Sequence, residues 1–232
     1  MTSSAVQPLE KVWQLLRNPT EIWPLFRAYL GFGKRLRQQP ITDAAGLMRF
    51  LESRASFVAQ TSLYGYLRTR AGQRYPELFE SRDFVKSVNI AKWQIWLACL
   101  SDLSVYAGGL MALSAPGKAA LIGQLMEDVV DRVLAETGIP GESGPDFAPS
   151  VGDLRRRLAS CDWLAVTDDE SAFSLSPAAL IKWAPVVDQL KALDEPIVIN
   201  SVRFRWQGIR RDLRQSLRID SILGTLPPAG SN

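Results

Sequence analysis

Residues 83–113 read DFVKSVNIAKWQIWLACLSDLSVYAGGLMAL, and the nature of that stretch decides the fold. Between Lys92 and Lys118 the only formal charge is Asp102. Apolar residues recur at helical spacing at Val88, Trp93, Ile95, Trp96, Leu97, Leu100, Leu103, Tyr106, Leu110 and Leu113. The spacing predicts one helix roughly 45 Å long, at about 1.5 Å of rise per residue. A helix that is apolar nearly all round must be covered on all sides, by protein or by lipid. Residues 94–113 have the length of a membrane span. Asp102 near their centre would cost about 2.5–3.5 kcal/mol on insertion, and Ser101, Ser104, Gly108 and Gly109 dilute the apolar surface further. A protein core is therefore the expectation.

Working outward, residues 42–71 predict a second long helix, with Thr42 as N-cap and Gly72 as stop. No charge falls between Arg54 and Arg68. Two long, low-charge helices joined by the short link 72–82 are expected to pack as an antiparallel hairpin. Residues 118–137 form a clean amphipathic pattern, with Ile122, Leu125, Met126, Val129, Val130 and Val133 inward and Glu127, Asp128 and Asp131 outward. Residues 138–150, GIPGESGPDFAPS, hold three Gly and three Pro and are the one candidate internal boundary. Beyond them, helices are expected over 151–163, from Ser176-Pro177 to about 193 with a break at Pro185, and from about 195 to 223. Before the hairpin, 8–17 and 20–38 read as helices. The expected fold class is all-α, with six to eight helices packed around the central hairpin in a single domain spanning 1–225, and 226–232 as a frayed tail.

Composition removes several chemistries. The 232 residues include no histidine, which excludes Ser-His-Asp and Cys-His nucleophile activation. It also removes the commonest metal ligand and the usual neutral-pH base. Two separated cysteines make no zinc site, and glycine-rich phosphate loops, GxSxG and CxxC are absent. No cofactor and no metal is expected, and the balance leans away from an enzyme. The first residues, MTSSAVQPLEKVW, carry no secretory pattern, and two cysteines inside probable helices suit a reducing compartment, so a cytoplasmic location is expected.

Charge is unevenly spread. Residues 1–100 carry 14 basic and 7 acidic groups, residues 101–200 carry 7 and 15, and residues 201–232 carry 6 and 2. These blocks either face one another in the fold or present a basic surface to an anionic partner. Lys34, Arg35 and Arg37 end one aromatic-rich helix. Arg203, Arg210, Arg211, Arg214 and Arg218 line the last, opposite Val202, Trp206, Ile209, Leu213 and Leu217. That arrangement suits an anionic membrane surface or a partner protein. Sequence-specific nucleic-acid reading is not supported, because no second basic helix stands in turn-helix arrangement. The acidic run Asp168-Asp169-Glu170 reads as a solvated loop or helix cap.

The hairpin also carries polar groups. Asp102 must be paired or protonated if buried, and Arg54 and Arg68 are its expected mates, with Lys92 a further candidate. Together with Gln60, Tyr64, Tyr66 and Tyr106 these residues form either a structural network or a pocket for a small ligand with an apolar body and a polar head. Two functions follow from the sequence. The first is a non-catalytic cytoplasmic helical protein that binds a partner protein, or an anionic membrane as a peripheral protein, through basic, aromatic helices. The alternative is a binder of, or an enzyme acting on, an amphipathic small molecule held inside the hairpin.

Overall fold

In the computed structural model, described over residues 39–224, every regular element is helical. The two long helices stand where the sequence places them. Helix α1 spans Ala44–Ala71 and α3 spans Arg82–Ser114, joined by a 3-10 turn at Gly72–Arg74 and the single-turn helix α2, Tyr75–Leu78. Then follow α4 (Ala119–Thr137), α5 (Phe147–Ala159), α6 (Leu175–Trp183), α7 (Asp188–Ser216) and α8 (Ile219–Gly224). The helices expected over 8–17 and 20–38, with Lys34, Arg35 and Arg37, and the tail 226–232 lie outside the described residues.

Helix α3 is the axis. Its residues are buried without a break from Ala91 to Leu97 and from Cys99 to Gly109, so every face of the middle turns is covered. It is long and apolar enough to cross a membrane, yet 89% of its most apolar window is buried inside the structure. Helices α1, α4, α5 and α6 supply the cover. One continuous apolar cluster runs from Ile41 to Leu223 and passes through the helices on both sides of the 138–150 loop.

Local chemistry explains most of the helix ends. Asp43, not Thr42, caps α1: its Oδ1 accepts from Gly46 N at 2.7 Å. A shorter carboxylate also suits the positive end of the helix dipole better than a hydroxyl. Gly72 closes α1 at φ 55°, in the left-handed region. Ser81 caps α3, accepting from Phe84 N.

Three boundaries differ from expectation. Helix α5 starts four residues early, at Phe147, because Pro149 falls in its first turn, where no N–H is needed. It stops at Ala159, freeing Trp163 to pack elsewhere. The pattern around Ser176-Pro177 opens at Leu175 and ends at Trp183, where Pro185 splits it from α7. Helix α7 begins at Asp188 and continues through Pro196. An interior proline costs about 3 kcal/mol, but here the preceding turn carries buried Asp194, held by Tyr66 and Arg70 of α1. That tertiary anchor overrides the local break.

The loop after α5 is seated on glycines. A Cβ on Gly108 would overlap the Trp163 ring, one on Gly109 would overlap Val166, and one on Gly123 of α4 would stand 2.7 Å from Trp163 Nε1. The indole thus lies in a groove that α3 and α4 open by lacking side chains. Gly108→Ala should lose about 1–3 kcal/mol in urea unfolding through overpacking. Gly117→Ala, with nothing within 4 Å of its Cβ, should stay close to wild type. Equal effects of the two substitutions would contradict this account.

Candidate functional site

Asp102 sits at the middle of α3 with no exposed surface. Its cation is Arg157 of α5, not Arg54 or Arg68. Arg157 Nη1 donates to Asp102 Oδ1 at 2.8 Å and to Ser101 Oγ at 3.0 Å, and Nη2 donates to the Ala172 carbonyl at 3.1 Å. Two backbone donors complete the shell. Leu175 N approaches Oδ1 at 3.3 Å and Ser176 N approaches Oδ2 at 2.8 Å. These are the first two N–H groups of α6, whose own N-cap residue, Ser174, makes no side-chain cap bond. Asp102 therefore caps a helix from another helix, bringing a negative charge to its positive end. Sequence spacing cannot show this, because the cap residue lies 73 positions from the helix it serves.

Every near neighbour of the Asp102 oxygens donates, which suits an ionised, acceptor-only carboxylate. Burial pushes its pKa up from 3.8, and Arg157 and Ser176 offset only part of that rise. Burial likewise pushes the Cys99 thiol well above its ordinary value, with the Asp102 charge adding to the effect. Both cysteines are free thiols. The shell continues outward: Trp206 Nε1 of α7 donates to Ser176 Oγ at 2.9 Å. Phe173 lies between the rings of Trp206 and Tyr106, with centroids 4.7 and 5.1 Å away.

A second cluster lies at the rim. Asp168 is neither a bare loop residue nor a helix cap. Tyr106 OH donates to its Oδ1 at 2.5 Å, Arg214 Nη1 at 2.7 Å and Arg210 Nη2 at 3.4 Å, while Arg210 also reaches the Asp168 carbonyl at 2.8 Å. The Arg210 guanidinium stacks over the Tyr106 ring at 5.4 Å. Glu170 stands 3.9 Å from Arg203. Asp169 alone behaves as a local cap, accepting from Ser171 N and Thr167 Oγ1, and these bonds hold its pKa down to about 2. Arg203, Arg210 and Arg214 of α7 thus face the 168–170 loop rather than the acidic side of α4, where Asp131 pairs with Arg155.

The remaining residues of the expected pocket do not converge. Tyr66 donates to Asp194 at 2.8 Å, beside Arg70. Lys92 is buried against Glu142 of the 138–150 loop and over the Trp93 ring. Arg54 lies 4.0 Å from Asp212 and stacks on Phe50. Gln60 is buried, Tyr64 is half-buried, and Arg68 is exposed at the end of α1. The long-range partners are chiefly carboxylates from the second half of the chain, and a sequence offers no signal for matching one cation with one carboxylate across 50 to 158 positions. Among the described residues no three His, Cys, Asp or Glu side chains stand together as a metal ion would need. No protein-family model matches this chain, and neither curated proteins nor solved structures give a significant match.

Two tests follow. Removing Asp102 leaves Arg157 without its counter-charge and two helix N–H groups without an acceptor, so Asp102→Leu should cost about 3–5 kcal/mol. In double-mutant cycles Asp102 should couple to Arg157 and not to Arg54. Coupling to Arg54 instead would overturn the assignment.

The second test concerns acid. Burial alone would raise Asp168, but hydrogen bonds from Tyr106 and Arg214 outweigh it and set the folded pKa below 3.8. A carboxylate lowered on folding stabilises the protein fully above its unfolded pKa and loses that contribution as pH falls through the folded value. The side chain is 36% exposed, so screening limits the contact to about 1 kcal/mol or less. Asp168→Asn should be less stable than wild type at pH 7, and the gap should close as pH is lowered past 3.8 in urea unfolding. A gap that persists at the acid end would show that the charge is not what stabilises the contact.

Proposed function

We propose that this is a non-catalytic, cytoplasmic helical protein that docks on an anionic membrane surface through a basic corner. The observation that carries the reading is a backbone pairing. Ile41 N donates to the Ser216 carbonyl at 2.9 Å, and Arg218 N donates to the Ile41 carbonyl at 2.9 Å. The chain therefore enters the described structure beside the end of α7. Arg37 is four residues from Ile41, and Arg35 and Lys34 are six and seven residues away. Arg218 and Arg211 are exposed at that corner.

Arg210 and Arg214 are partly spoken for by Asp168. Arg211 and Arg218 are the cleaner contributors, together with Lys34, Arg35 and Arg37. Each basic group near an anionic bilayer adds about 1 kcal/mol of attraction, which salt screens. The alternative from the sequence, an amphipathic ligand between the long helices, draws no support from the residues named for it. Their charges are matched in separate places rather than aimed at a shared space.

Flotation of the full chain with vesicles containing phosphatidylserine tests the proposal. Binding should appear at low salt, weaken as salt rises, and vanish with neutral lipid. Arg211→Gln with Arg218→Gln should weaken it about thirtyfold, at about 1 kcal/mol per charge, without loss of fold. Wild type that stays in the soluble fraction with anionic vesicles at low salt would overturn the proposal.

A further inference from the structure

We draw no further inference here: the strongest candidate, the line of exposed apolar side chains that Leu193, Ile197 and Phe204 form on the outer face of α7, carries nothing, because Arg203, Arg210 and Arg214 beside it are already paired with Glu170 and Asp168 and nothing in the structure shows what covers it.

Discussion

A carboxylate at the centre of an apolar helix constrains everything around it. Asp102 cannot be left dry and alone, because an unpaired buried charge costs several kcal/mol. The protein answers with Arg157 from α5 and the first two N–H groups of α6. Three helices that are far apart in sequence are thereby fixed at one point. The ion pair need not add net stability, since a well-packed apolar replacement of both partners is often as stable. Its physical effect is positional: an apolar α3 could accept cover helices at many registers, and only one puts a guanidinium and a helix start on Asp102. The constraint then propagates. Ser176, held by Asp102, accepts from Trp206, and that bond sets the depth of α7 against α6.

The uneven charge blocks of the sequence resolve in the same terms. The acidic middle of the chain supplies Asp168 and Glu170 to the arginines of α7, Asp194 to Arg70, and Glu142 to Lys92. The blocks do face one another, through pairs at the rim of the core. This compensation leaves a remainder spread over the surface: Arg49, Arg68, Arg82, Lys86, Lys118 and Arg132 are exposed on other elements, as Arg211 and Arg218 are at the end of α7.

The all-helical architecture and the long hairpin were legible because they rest on local periodicity and on runs without charge. Gly72 and Pro185 were legible for the same reason, since each acts on its own backbone. The pairing of Asp102 was not. Arg54 and Arg68 were attractive because they lie on the neighbouring helix, but the side of α3 that bears Asp102 faces α5 and α6. Nor could the sequence reveal that Asp168 is clasped while Asp169 next to it merely closes a turn. The Gly108-Gly109 pair was the one local signal of the loop above it: adjacent glycines inside a buried helix imply a close approach. What approaches them straddles the expected helix end at 163: periodicity assigns Trp163 to that end and Val166 to the loop beyond it.

Helix α7 shows how fold and function separate on one element. Its inner face is determined: Trp206 needs the Ser176 hydroxyl, Asp194 needs Arg70 and Tyr66, and Val202, Ile209 and Leu213 fill the core. Those requirements leave its outer face free. With packing removed as an influence, helix propensity and solubility would favour Lys, Glu, Gln or Ala at such positions. Leu193 meets the propensity preference but not the solubility one, and Ile197 and Phe204 meet neither, because branched and aromatic side chains lose rotamer freedom in a helix. Their alignment therefore cannot be attributed to the stability of α7 itself.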